Sequence, residues 1–348
     1  MGNTLWSRAA VAGPGTETTS ARGTSAAPDD KEELQDASLE IVVLGTGAGT
    51  THAFSGEPSS SFVVLKGGKP VLWCDVGYGT TYACMQHVGE LPKHIYVSHN
   101  HGDHAGELPV VLAVEKKAAA AAGLDPPYLY CHPDVMAEVR QHRLRELRST
   151  GEPQELFSTF RETLPGCTTF IGDTGLAVRP CLSRHSETCY GFVLYDEEGE
   201  PVLGWTADSG YDEELYGDVA EAAVLLLDAR AEGSQEHAGF HELPRIAALP
   251  YMSGKTVYIT GYGRQDEAPG REVVEGLGMR VAQPGLRIRL QGSAGKQAAG
   301  KQAAGKQAAG KQAAGKQGSA GKRAGDTAAE APAAAAAAET AVAVNQAA

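Results

Sequence analysis

Residues 98–104 read Ser-His-Asn-His-Gly-Asp-His, and no other stretch of the chain is as informative about its function. It places three imidazoles and one carboxylate within six positions: His99, His101, Asp103 and His104. Such groups are costly to bury without a partner, and a bound metal ion removes that cost. Imidazole combined with carboxylate suits zinc, manganese or iron better than calcium or magnesium. The stretch therefore predicts a metal site for Zn²⁺, with Mn²⁺ or Fe²⁺ as alternatives.

Further candidate ligands follow strand-like segments elsewhere in the chain. Residues 94–97 read as a short buried strand, so the histidine-rich stretch lies on the loop that leaves it. His185 follows a strand-like run at 176–182, and Asp208 follows another at 202–206. Loops at strand ends commonly present functional groups. The pattern therefore predicts that His185 and Asp208 join the metal site.

The region 39–291 is predicted to be one folded domain. Its strands and helices lack the steady alternation of a doubly wound sheet, and they favour two packed sheets with outer helices. Gly67 and Gly68 predict the turn of a hairpin. The predicted strands cover residues 40–45, 62–66, 71–75, 94–97, 128–131, 176–182, 190–195, 202–206, 223–228, 256–260 and 286–290. The predicted helices cover residues 80–88, 105–122, 134–149, 211–217 and 240–248.

The glycine-rich segment Leu44-Gly45-Thr46-Gly47-Ala48-Gly49 is not a dinucleotide-binding fingerprint. It follows a strand, but the G-x-G-x-x-G spacing fails. Residues 50–61 are polar and contain Pro58, so we expect no helix to begin there. A strand-to-loop turn near the metal site fits the segment better.

The order of these motifs carries a family resemblance. An H-x-H-x-D-H motif, a later histidine and an aspartate after a strand resemble the metallo-β-lactamase superfamily of binuclear metal hydrolases, over residues 40–290. Leu44-Gly45-Thr46-Gly47 and the segment 101–109 most resemble the branch that contains the tRNA 3′-end nuclease RNase Z and related phosphodiesterases. The resemblance implies an α+β fold, the four-layer αββα sandwich.

The resemblance also divides the ligands between two metal ions. Gly102 is expected to let the loop turn tightly enough for His101 and Asp103 to face different ions. Asp103 is expected to orient the attacking water as well. The implied set is His99, His101 and His185 on one ion, Asp103 and His104 on the other, and Asp208 bridging both.

One position departs from the family pattern. The family places a final histidine after the last core strand, in Thr-His-Tyr/Phe-x-x-Arg, whereas this chain reads Thr260-Gly261-Tyr262-Gly263-Arg264. Glycine offers no ligand, so water, His237 or His241 would have to complete the second ion. The departure predicts either a weaker second site or a single-metal site.

The resemblance implies a hydrolase that uses a metal-activated hydroxide, acting on a phosphodiester. A small cyclic or nucleotide-type diester suits the chain better than tRNA does. His237 lies near the position where relatives place a proton donor for the leaving group, and its alternative is a solvated loop histidine. Hydrolysis of a thioester, lactone or lactam is the second hypothesis. A degenerate, non-catalytic metal-binding protein is the third, because of Gly261.

Charge and composition bear on partners and on the ends of the chain. The formal net charge is −13, and the acidic body disfavours nucleic acid, although the lysine repeats after residue 291 would attract it non-specifically. Residues 1–38 and the Lys-repeat and Ala-rich tail 292–348 read as disordered. A basic helix face, interpreted as solvated, is formed by Arg140, His142, Arg143, Arg145 and Arg148.

The compartment is predicted from cysteines and from apolar runs. The six cysteines form no C-x-x-C pair and favour free thiols in a reducing, cytoplasmic compartment. No apolar run approaches the roughly 20 residues that span a bilayer, so no membrane partner is expected. A homodimer is left open.

Overall fold

The computed structural model describes residues 38–290. Apart from Ser38, the predicted N-terminal segment lies outside the described residues, and so does the predicted tail from residue 292. Within the described part of the chain, no helix is long and apolar enough to cross a bilayer.

Two mixed sheets of seven strands each form the centre of the described region. Hairpins supply most of the antiparallel pairs, the last strand pairs antiparallel with the first, and crossover connections supply the parallel pairs. The first sheet has the order β14-β1-β2-β3-β4-β5-β6, with β1 Leu39–Gly45, β2 Ser61–Lys66, β3 Lys69–Cys74, β4 His94–Tyr96, β5 Tyr128–Cys131, β6 Thr159–Glu162 and β14 Arg287–Leu290. The second has the order β13-β12-β11-β10-β9-β8-β7, with β7 Thr169–Phe170, β8 Ala177–Leu182, β9 Tyr190–Tyr195, β10 Pro201–Trp205, β11 Val224–Asp228, β12 Thr256–Thr260 and β13 Met279–Val281.

Helices cover the outer face of each sheet. The α-helices are α1 Thr51–Ser55, α2 Thr80–His87, α3 Gly102–Ala105, α4 Leu108–Ala122, α5 Pro133–Glu138, α6 Glu213–Val219, α7 Leu243–Ala247 and α8 Arg271–Gly276. Buried side chains of α2, α4 and α5 pack with the first sheet, and those of α6, α7 and α8 pack with the second.

The core between the sheets follows from the two-residue period of the strands. On β1, Ile41 and Val43 belong to the inner cluster, whereas Val42 belongs to the outer one. Aromatic rings fill the inner layer: Tyr96 of β4 lies 4.9 Å, centroid to centroid, from Phe192 of β9. Two sheets packed face to face, with helices outside both, confirm the predicted αββα sandwich.

Two expectations about helices were wrong. A short helix, α1, does begin after the glycine-rich segment: the Thr51 hydroxyl accepts from the Ala48 amide, and Gly56 ends the helix in the left-handed conformation at φ 75°. The predicted long helix 134–149 is regular only over α5, and then widens to a π turn and tightens to a 3₁₀ segment up to Thr150. Strands β6, β7 and β13 were missed because each is a short edge strand with few buried apolar residues.

The fold brings several strand ends to one edge. Strands β3 and β4 run parallel in the first sheet, and β10, β11 and β12 run parallel in the second. In open parallel sheets, ligands bind beyond the carboxyl ends of the strands. Every predicted site residue follows such an end or the end of β8.

Candidate metal centre

Three histidines converge on one point. His99 Nε2 lies 3.1 Å from His101 Nδ1, and His101 Nδ1 lies 3.1 Å from His185 Nε2. Zinc–nitrogen bonds of about 2.0–2.1 Å in a tetrahedral site place ligand nitrogens about 3.3 Å apart. The structure therefore brings together the three residues that the sequence predicted for the first ion, with ligand atoms within 4.8 Å of one another, close enough to hold one metal ion.

The protein environment favours the neutral imidazoles of His99 and His185, which have a lone pair for a metal ion. Burial lowers the pKa of His99 well below its usual range, and burial also lowers the pKa of His185. The Nδ1 of His185 lies 3.3 Å from the carbonyl oxygen of Glu236. A hydrogen on that nitrogen donates to the carbonyl and leaves Nε2 unprotonated, as a metal ligand must be.

A second group of ligands surrounds His104. Its Nε2 lies 3.2 Å from Asp208 Oδ2 and 3.4 Å from Asp103 Oδ2. Burial lowers the pKa of His104, but the carboxylates of Asp208, Asp103 and Asp75 outweigh burial and raise that pKa well above its usual range. The same negative charge favours a cation beside Nε2, which is buried and has no hydrogen-bond partner within the protein. The three side chains therefore form a second group of candidate ligands.

Asp75 was missed by the sequence reasoning. Its Oδ2 lies 2.6 Å from His104 Nδ1, and its two oxygens accept from the Ser98 amide at 2.8 Å and the Ser98 hydroxyl at 2.7 Å. Asp75 is fully buried and adopts a left-handed conformation, φ 61°, which marks a residue held by its surroundings. The signal was an acidic residue directly after β3, at the edge where parallel strands end.

Asp75→Asn is expected to weaken metal binding at His104 by about 10- to 100-fold. Asparagine tolerates the left-handed conformation, but its amide would turn a donor toward Nδ1 and move the imidazole hydrogen to Nε2. Metal competition titration of the purified variant measures the effect. Asp196→Asn, which alters a loop carboxylate hydrogen-bonded to Glu198 and Glu200, is the control. Unchanged metal affinity in Asp75→Asn would contradict the orienting role.

Gly102 has a different role from the one expected. It does not have a positive φ, and it begins α3 directly after His101. A Cβ at this position would collide with the ring of Tyr78. The glycine therefore permits the close approach of Tyr78 rather than a tight turn.

His237 lies beside the ligand groups and is oriented by a second missed carboxylate, Asp228. Its Nδ1 is 2.8 Å from Asp228 Oδ2, which also accepts from the Ser209 amide at 3.1 Å. The rings of His237 and His185 are 5.1 Å apart. Burial and the charge of Asp208 raise the pKa of Asp228, while the hydrogen bond to His237 opposes them. His237 also lies close enough to His185 and Asp208 to share a cation with them.

The other residues of interest have different surroundings in the structure. His241 belongs to none of the potential metal-binding groups in the described part of the chain. Gly261 has φ 71°, and a Cβ there would collide with Asp228 Oδ1. Arg230, which the sequence reasoning did not single out, places its Nη2 3.0 Å from Asp208 Oδ2. Arg143 of the basic helix face is not simply solvated, because it donates to the Asn100 carbonyl at 3.0 Å through Nε.

Comparison with solved structures identifies the fold. A diphosphatase of the PhnP family shares 16% identity at a TM-score of 0.57, covering 72% of this chain and 97% of that one. The metallo-β-lactamase fold protein YhfI from Bacillus subtilis shares 17% at 0.54, covering 72% and 99%. The short form of human tRNase Z, ELAC1, shares 18% at 0.53, covering 72% and 98%. The metallo-β-lactamase fold expected from the motifs is confirmed.

Comparison at the level of sequence is more specific. No curated protein matches the chain. A family model described as "Anti-Pycsar protein Apyc1" matches residues 39–275, which is more than half of the chain and includes every residue of the candidate metal centre. The chain therefore belongs to the Anti-Pycsar protein Apyc1 family, within the metallo-β-lactamase fold.

Proposed function

We propose that this chain is a metal-dependent hydrolase of a phosphodiester, with a small cyclic or dinucleotide-type substrate. The observation that carries the proposal is the convergence of His99, His101 and His185 beside the His104 carboxylate group. Both groups stand at the edge where parallel strands end, next to an oriented histidine, His237. Metal ligands, a carboxylate and a proton donor on one edge are the parts that hydrolysis requires.

The cofactor that we propose is Zn²⁺, with Mn²⁺ or Fe²⁺ as alternatives. His99, His101 and His185 would hold it, and Asp103, His104 and Asp208 form the second group of ligands. A bound ion of this kind supplies a Lewis acid and lowers the pKa of water from about 15.7 toward 7. The nitrogen-rich first group suits zinc.

The chain's own residues divide the remaining work. The Asp103 carboxylate is 7% exposed. Burial raises its pKa, but His104 outweighs burial and lowers the pKa below its usual value. In this proposal the ionised carboxylate orients the attacking water. His237 donates a proton to the departing oxygen from Nε2, because Asp228 holds the other ring nitrogen. Proton donation by a positioned side chain contributes about 10²–10⁴-fold to a rate.

The charge of the chain bears on the size of the substrate, and the relatives bear on its chemistry. The chain carries a formal net charge of −13, which repels a long nucleic acid but penalises a small diester far less. Proteins of the same fold include one described as a diphosphatase and another as a tRNase Z, so phosphorus chemistry has precedent in this fold. The charge of the chain supports a small diester over a tRNA, whereas the relatives support phosphorus chemistry alone.

Assays of the purified full chain test this function. With added Zn²⁺ we expect turnover of bis-p-nitrophenyl phosphate and of small cyclic nucleotides, because the metal ligands and proton donor converge, and little cleavage of a tRNA precursor. A thioester and a lactone assayed in parallel test the acyl hydrolase. Faster acyl turnover, or preferred tRNA cleavage, would contradict the proposal.

The absence of a ligand at Gly261 favours one other candidate function, a degenerate protein that binds metal without catalysis. It predicts bound metal without turnover of any diester or acyl substrate. Total metal content, measured in the same preparation as the activities, separates the two candidates.

Compartment, boundaries and assembly complete the proposal. We propose a catalytic domain spanning residues 39–291 and a cytoplasmic setting, which the free thiols of all six cysteines support. A homodimer stays a prediction, tested by the mass of the protein in solution.

A further inference from the structure

The final histidine of the family pattern is absent at Gly261, and the side chain of Asp228 lies in its place. Gly261 follows β12, and β12 pairs in parallel with β11, whose last residue is Asp228. Because φ at Gly261 is 71° and a Cβ would meet Asp228 Oδ1, a histidine at this position would require Asp228 to move. Asp228 in turn is held by His237 and the Ser209 amide. The packing of Asp228 at this strand end therefore leaves no room for a histidine side chain at position 261.

A positive charge stands at the same edge. Arg230 lies two residues beyond β11, and its Nη2 is 3.0 Å from Asp208 Oδ2, the oxygen that is also 3.2 Å from His104 Nε2. The family resemblance assigns Asp208 the bridging role between two ions. A guanidinium on this oxygen neutralises the carboxylate and repels a doubly charged ion that would share it.

The backbone fixes Arg230 in this position. Its amide donates to the Ala238 carbonyl, and its own carbonyl accepts from the Phe240 amide, both at 2.8 Å. The side chain is 23% exposed, so Arg230 is partly accessible from solvent. Its Nε is buried and makes no hydrogen bond within the protein. An unpaired buried donor beside the metal centre indicates that an acceptor binds there.

We propose that Arg230 takes the place of the second metal ion: the chain holds one ion, on His99, His101 and His185, and the Arg230 guanidinium binds a non-bridging oxygen of the substrate phosphate. A guanidinium forms paired, charge-assisted hydrogen bonds with phosphate oxygens. The role toward substrate rests on the proposed function, whereas the metal count does not.

Metal counting tests the first half. We expect the full chain, dialysed against buffered Zn²⁺, to retain one ion per chain by elemental analysis. Arg230→Gln removes the charge and is expected to gain a second, weaker ion, whereas Arg230→Lys keeps the count at one. Arg245→Gln, which breaks an exposed pair with Glu213, is the matched control and keeps one ion. Two ions of similar affinity in the unaltered chain would overturn the proposal, whether or not Arg230→Gln folds.

Phosphate binding tests the second half. Inorganic phosphate, used as a competitive inhibitor or in calorimetry, is expected to bind Arg230→Gln about 10- to 100-fold more weakly than the unaltered chain. Arg230→Lys should recover part of that loss, and Arg245→Gln should show none. Equal phosphate affinity in the folded Arg230→Gln variant would overturn the substrate role. One ion and Arg230-dependent phosphate binding, without turnover of any diester, would reject the proposed function and leave this inference standing.

Discussion

His101→Ala is expected to remove the metal ion from the three-histidine group and to lower hydrolysis by about a thousandfold or more. His101 Nδ1 is the atom that both other nitrogens approach, at 3.1 Å each, so its loss leaves two ligands facing each other across a gap. The His101 side chain is 37% exposed and belongs to no core cluster, which spares the fold. Elemental analysis and the rate on bis-p-nitrophenyl phosphate measure the two effects.

The control for this substitution is His142→Ala. The His142 side chain is 52% exposed and pairs with Glu138 on the helix face, away from the ligands. We expect it to keep full metal content and rate. Full metal occupancy in His101→Ala would show that the three-histidine group is not the binding site.

His237→Ala is expected to lower the rate by about 10²–10⁴-fold on a diester whose leaving group is a sugar alcohol. An alkoxide is a poor leaving group and needs a proton from His237 as it departs. A p-nitrophenolate leaves readily without one, so the rate on bis-p-nitrophenyl phosphate should fall much less. The ratio of the two losses is the measurement, because damage to metal binding would lower both rates equally.

Two further variants sharpen this test. Asp228→Asn removes the acceptor that orients His237 at 2.8 Å, and we expect a smaller loss with the same dependence on the leaving group. His241→Ala alters the neighbouring loop histidine and should change neither ratio nor metal content. Equal losses on both substrates in His237→Ala would point to a ligand role for His237.

The sequence was most informative where ligands are adjacent or follow recognisable strands. The residue types from His99 to His104 indicate metal ligands whatever the fold. His185 and Asp208 were found because strand-like runs precede them. The sandwich followed from the same patterns. The sequence did not predict the short helix α1, which ends at the left-handed Gly56, or the change to π and 3₁₀ geometry after α5.

The sequence could not show that the Asp75 carboxylate is a partner of His104, for a different reason. Asp75 is 29 residues from His104, and the two meet only because β3 and β4 pair in parallel. A lone aspartate after a strand has many possible uses, and only register shows which atom it faces. The same holds for Arg143, whose position in a basic helix gave no sign that it holds the Asn100 carbonyl.

The amino-acid sequence by itself determined the imidazole and carboxylate groups of the candidate site, their order along the chain and the absence of a side chain at Gly261, because residue type and periodicity are local properties. Tertiary structure decided what fills that absence. Asp228 and Arg230 come from β11 and its following loop, and the parallel pairing of β10, β11 and β12 places them against Gly261 and Asp208. Contacts between neighbouring strands depend on their register, which no single segment of the chain specifies.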